Sequence, residues 1–282
     1  MEYILKNENI CIKFNSLGAE MVSIIHNKKE RLWQNDNGSW SGHAPVLFPI
    51  CGKIQVKIDN VIYPLLQHGF ARRCEFVLLN KENNKISFIL KDNKDTFKLF
   101  PYHFELIISY ELIDNSIKIS YIVKNNDDTK MYYSVGSHTS FSLDSKIDNY
   151  LIEFEYEEEL INEINDRTPL LTGEKILLSK NGILDLSTNY IDDAKTLIFR
   201  NLKSKKATLI KKDGTILASI EFHDFPYILF WHPKDANMIC MEPWHNILDS
   251  KETIDLNFKD KDGIIALDKN ESKELKEIIT YY

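Results

Sequence analysis

The chain has 282 residues, 43% of them hydrophobic and 27% charged, with a net charge of −7. That balance is ordinary for a globular protein and excludes a broadly basic nucleic-acid-binding face. No apolar run approaches the ~18 residues of a membrane span, and Met1-Glu2-Tyr3 opens no basic and apolar leader, so the expectation is a cytoplasmic protein with no membrane and no nucleic-acid partner.

The predicted elements are strands. "KISFILK" alternates apolar and polar positions. In "FELIISYEL", Phe104, Leu106, Ile108, Tyr110 and Leu112 share one face, with Ile107 out of phase. After the Asp-Asn turn, Ile117, Ile119, Tyr121 and Val123 continue the pattern, so the two runs read as a hairpin. "VGSHTSFSL" reads as a buried strand holding one imidazole, and "LIEFEYE" alternates again. The segment from Asp193 is a candidate short turn or helix. "ATLIKKDGTILASIEF" is a second hairpin around Asp213-Gly214, a dipeptide that accepts the positive φ of tight turns. The C-terminal "ESKELKEII" is open between helix and strand. No repeat or linker divides the chain, so residues 1–282 are expected to form one all-β, large antiparallel β-sandwich with few short helices. The lysines from Lys203 to Lys212 and the acidic run Glu157 to Glu159 read as solvated faces.

Four cysteines, Cys11, Cys51, Cys74 and Cys240, match no zinc spacing and are expected as reduced thiols. Neither G-x-G-x-x-G nor a P-loop nor H-E-x-x-H occurs, so no cofactor and no metal is expected, although a zinc site built from His68, His138 and Glu242 remains chemically open. Three stretches stand apart from generic strand: "LQHGFARRCEF" with His68, Gly69, Arg72 and Arg73; "GSHTSF" with His138; and "MICMEPWHNI" with Glu242. Taken alone, His138 is either a satisfied polar residue at a core edge or a proton-transfer group. Glu242 is either a paired strand-end carboxylate or a functional one. Trp33, Trp40, Trp231 and Trp244 are core residues or sugar platforms.

Together, and in order, these blocks resemble the aldose 1-epimerase (galactose mutarotase) family, nearest its LacX-like branch. The matching residues are Gly18-Ala19-Glu20, Leu32-Trp33-Gln34, Pro45 to Pro49, His68 to Arg72, Gly136-Ser137-His138, Phe225-Pro226-Tyr227, Trp231 and Cys240 to Trp244. The resemblance implies a galactose mutarotase-like supersandwich and a sugar substrate. It implies Glu242 as base, His138 as acid and His68 as a hydrogen-bonding partner of the sugar. It also makes Arg72 and Trp231 substrate-binding candidates. A nearby carboxylate is expected to raise the His138 pKa and favour the charged acid. Asp224 is a further candidate near the cleft. Lys53, Thr139 and His245-Asn246 depart from the family pattern. Lys53, Arg72 and Arg73 therefore raise a second reading, a hexose-6-phosphate epimerase, and a non-catalytic sugar-binding protein is a third. A monomer or homodimer is expected.

Overall fold

The computed structural model describes residues 1–166, 168–187 and 196–282. The first predicted hairpin forms as Phe104–Ile113 against Ser116–Asn125, in register from Ile113 opposite Ser116 to Phe104 opposite Asn125. Its in-phase apolar residues are buried, while Ile107 is half-buried. The second, Lys206–Lys211 against Ile216–Glu221, turns at Asp213-Gly214 with Gly214 at φ 92°. Both belong to one nine-stranded sheet, ordered Ile183–Asp185, Tyr150–Phe154, Lys206–Lys211, Ile216–Glu221, Ser272–Tyr281, Ser116–Asn125, Phe104–Ile113, Lys85–Lys91 and Val77–Lys81. Every pairing in it is antiparallel.

The ambiguous C-terminus is thus a central strand. Its Lys and Glu content suits a helix, but Leu275, Glu277, Ile279 and Tyr281 are buried at every second position, and burial decides over propensity. Among the described residues the only α-helix is Lys94–Leu99, capped by Asn93, and no helix is long and apolar enough to cross a membrane. The candidate helix from Asp193 lies largely outside the described residues; the next described element is the strand Leu197–Arg200.

A second sheet runs Leu197–Arg200, Tyr227–Trp231, Met238–Trp244, Gly136–Ser137 and Val46–Leu47, with Thr139–Ser142 also paired to Met238–Trp244. Ile239 and Met241 on its central strand join the main core, which also takes in Tyr110, Tyr121 and Ile279 from the nine-stranded sheet. A four-stranded N-terminal sheet adds Phe14, whose ring lies 4.7 Å from that of Tyr110. The alternate residues Met238, Cys240 and Trp244 pack instead in smaller clusters on the opposite face. All seven residues of Met238–Trp244 are therefore buried, which is why this strand reads as an apolar run broken only by Glu242 rather than as an alternating one.

Candidate active site

Strand periodicity sends Glu242 to the same face as Met238 and Cys240, away from the main core. Glu242 is 1% exposed, and neither carboxylate oxygen has a hydrogen-bond partner. Thr139 pairs with Met241 and Gly136 with Trp244, so the register on either side sets His138 across from Glu242. His138 Nε2 lies 3.4 Å from Glu242 Oε2, and His138 Nδ1 is also buried without a partner. Unpartnered buried polar atoms are costly and call for a ligand or water.

His68 arrives from a tight turn. It sits at φ 66° and Gly69 at φ 67°, a left-handed pair that glycine relieves at one position. A Cβ on Gly69 would stand 2.1 Å from the Phe48 carbonyl oxygen. The turn is tied to Gly52 in both directions: His68 N–H donates to the Gly52 carbonyl at 2.7 Å, and Gly52 N–H donates to His68 Nδ1 at 3.0 Å. Accepting at Nδ1 leaves the hydrogen of neutral His68 on Nε2, and the Gln67 side-chain amide, 3.2 Å away, can accept it only by turning its carbonyl oxygen to the ring.

Around these groups lies a cavity of about 270 Å³, lined by Trp40, His68, Arg72, His138, Trp231 and Glu242 among others. That is close to the ~300 Å³ lower end for small-molecule sites and suits one sugar ring. Trp40 stacks on the His138 ring, centroids 5.0 Å apart at 26°, and Trp231 meets His138 edge-on at 5.8 Å. Trp33 Nε1 anchors the Trp40 carbonyl at 2.9 Å. Arg72 Nη2 donates to the Gln67 carbonyl at 3.3 Å. A larger hollow of about 560 Å³ beside Tyr63, Tyr102 and Lys130 holds none of the unpartnered buried polar atoms.

Burial sets the electrostatics. It pushes the Glu242 carboxyl well above the usual carboxylate range. It pushes His138 down to about 3, assisted by the Arg72 charge, and His68 well below its usual value, assisted by His138 and Arg72. The expectation that a carboxylate raises His138 is not met: burial lowers it, and Glu242, itself pushed toward its neutral form by burial, does not raise it. The proton count of the pair is nonetheless the useful one. A protonated carboxyl beside a neutral imidazole holds the same protons as a carboxylate beside an imidazolium. One proton moved between them interconverts the two forms, so while it holds that one proton the pair offers one acid and one base.

The structure brings together His68, Arg72, His138, Trp231 and Glu242 around one cavity, but not Lys53, Arg73 or Asp224. Lys53 is exposed, its neighbour Gly52 making the contact to His68. Arg73 donates to the Gly69 carbonyl at 3.0 Å. Asp224 lies exposed in the turn before Tyr227–Trp231, where it accepts the Lys276 N–H at 2.8 Å. The sequence reading missed Gln67, Asn165 and Thr196 in the lining and named Trp40 only as one tryptophan of four. Gln67, Thr196 and Trp40 come from connecting segments with no periodicity to betray them, and Asn165 from the last position of the strand Leu160–Asn165. Of the donors considered for a metal, His68 is held by Gly52, whereas His138, Cys240 and Glu242 place donor atoms within 4.8 Å of one another.

The family model for aldose 1-epimerase matches residues 1–280. The chromosomal LacX protein of Lactococcus lactis is 32% identical over 275 residues, covering 88% of this chain and 89% of LacX. A galactose mutarotase related enzyme from Lactobacillus acidophilus superimposes with a TM-score of 0.93 at 27% identity, covering 100% of this chain and 97% of its own. A galactose mutarotase-like protein from Lactobacillus casei gives the same TM-score of 0.93 and identity of 27% over 100% of both chains. With a β-sandwich of the galactose mutarotase type and a family match over nearly its whole length, the chain belongs to the aldose 1-epimerase family.

Proposed function

We propose that this protein interconverts the α and β anomers of an aldohexose, with Glu242 and His138 as the proton-transfer pair. The observation that carries the reading is the pair itself: a buried acid and base 3.4 Å apart, their remaining polar atoms unpartnered beside a cavity of about 270 Å³. Ring opening takes a proton from the C1 hydroxyl and delivers one to the ring oxygen. Both oxygens are borne by the same carbon, so acid and base must be near neighbours. A glycosidase instead sets two carboxyl groups ~5–9.5 Å apart across a bond. In the ionised form Glu242 accepts the C1 proton and His138 supplies the ring oxygen; in the neutral form the two exchange tasks. Closure on the other face of C1 returns the proton, so the enzyme ends as it began. His68 Nε2–H and the Arg72 guanidinium donate to sugar oxygens and fix the ring against Trp40 and Trp231.

A free hexose is favoured over a hexose 6-phosphate because, of Lys53, Arg72 and Arg73, only Arg72 lines the cavity. The test is NMR exchange between anomers of glucose and galactose, with and without 6-phosphates. Catalysed exchange of the free sugar that falls ~10²–10⁴-fold in Glu242→Gln supports the reading. Sugar binding with exchange no faster than in buffer refutes it in favour of a binding protein.

A further inference from the structure

We propose that His138, Cys240 and Glu242 form a binding site for zinc(II) or a similarly soft divalent cation, which occupies the cavity floor in competition with the sugar. Among the described residues this is the one place where three such donors converge: an imidazole nitrogen, a thiol sulfur and a carboxylate oxygen, all buried, within 4.8 Å of one another. Cys240 and Glu242 project from the same face of one strand, two residues apart, and His138 faces them from the neighbouring chain segment. Donors on paired strands are held in place before any ion arrives.

The second observation is the state of Glu242. Its two oxygens are buried and make no well-formed hydrogen bond, although a carboxylate in that position needs partners. A cation supplies them. A thiolate and a carboxylate around a divalent ion also leave the buried cluster with no net charge. The donor set selects the metal, since thiolate and imidazole favour zinc, cobalt or copper over magnesium and calcium. Donors about a tetrahedral zinc with bonds of ~2.0–2.3 Å stand ~3.3–3.8 Å apart. The His138–Glu242 separation of 3.4 Å already fits, and the widest separation must close by about 1 Å. Three protein ligands leave a fourth position open to the cavity, where a sugar hydroxyl would otherwise lie. His138 Nδ1 has no partner to orient the ring, and such support normally strengthens a metal site 10–100-fold. The site is therefore one of reversible occupancy rather than of a resident structural ion.

The test uses the full chain, stripped by a chelator and titrated with cobalt(II) chloride alone. The expected result is a thiolate-to-cobalt charge-transfer band in the near ultraviolet that saturates at one ion per chain. In Cys240→Ala and Cys240→Ser the band should be lost. In Glu242→Gln, which keeps the thiol, cobalt should bind roughly 10–100-fold more weakly. Zinc chloride should bleach the band by replacement, and a large excess of galactose should bleach it by competition. No band in the unaltered chain, or a band retained in both Cys240 variants, overturns the site. A band that galactose leaves untouched overturns the competition. The cobalt titration is read without turnover and stands or falls separately from anomer exchange, whereas the galactose arm rests on the sugar binding proposed above.

Discussion

The Ser137 hydroxyl donates to Glu277 Oε2 at 2.7 Å, tying the residue before His138 to the central strand of the opposite sheet. Tyr121 donates to the other oxygen, also at 2.7 Å. Even with both bonds, burial pushes the Glu277 carboxyl up to about 7. The folded chain therefore binds a proton that the unfolded chain has released between its ordinary carboxyl pKa and about 7. Stability from this group is full below the ordinary value, falls as pH rises toward 7 and is flat above, by about 3 kcal/mol at most. We expect Glu277→Gln to flatten that part of the profile. Denaturant unfolding of both chains from pH 5 to pH 8 checks it, and parallel slopes would show that Glu277 does not titrate in this range.

Glu242 and His138 are predicted to act as one unit, because they stand 3.4 Å apart, near enough to pass a proton. Glu242→Gln and His138→Asn should each cost ~10²–10⁴-fold in kcat. The double variant should cost little more than the worse single one, as groups that act together are strongly non-additive. Anomer exchange rates for the four proteins test this; losses that multiply would mean that the two side chains work independently.

Arg72 is predicted to bind sugar more than to accelerate the chemistry. It is half-buried at the cavity with one hydrogen bond, to the Gln67 carbonyl, and burial lowers it only to about 10, so it stays charged at neutral pH. A hydrogen bond from a charged group is worth ~1.5–3 kcal/mol, so Arg72→Ala should raise KM roughly 10–100-fold with a smaller change in kcat. Arg72→Lys should not restore KM if the planar fork matters. Steady-state kinetics in galactose separates the two parameters.

Much of this architecture was legible because β-strands carry their own period. The hairpins at Asp114-Asn115 and Asp213-Gly214 follow from alternation and turn chemistry. His68, His138 and Glu242 stood out as polar residues in apolar stretches and all three are buried, but each alone was open between a structural and a chemical reading, and only the family resemblance joined them. Lys53 shows the limit: a residue one position from a contact points elsewhere, and sequence does not give side-chain direction in a loop. The His138 charge state was illegible for another reason. Its sign depends on whether desolvation or the Glu242 charge is larger, and only depth of burial decides that. Cys240 and Trp40 join His138 through folding alone, from positions 240 and 40.

Trp40 supplies the last prediction, through a residue that takes no part in the chemistry. A Cβ on Gly42 would lie 2.4 Å from Trp40 Cζ2, so the indole reaches its stack on His138 only because position 42 has no side chain. Gly42 has no positive φ to explain it, which leaves that close approach as its reason. Gly42→Ala must displace the ring, exposing His138 and removing one wall of the cavity. An aromatic contact of this kind is worth ~0.5–1.5 kcal/mol, so Gly42→Ala and Trp40→Ala should both raise KM about 2–12-fold, with Trp40→Phe between them and the unaltered chain. Galactose should also change the tryptophan fluorescence of the unaltered chain more than that of Gly42→Ala. Equal KM and equal fluorescence response in Gly42→Ala would mean that the indole keeps its place by another route, and that the sugar does not depend on this wall.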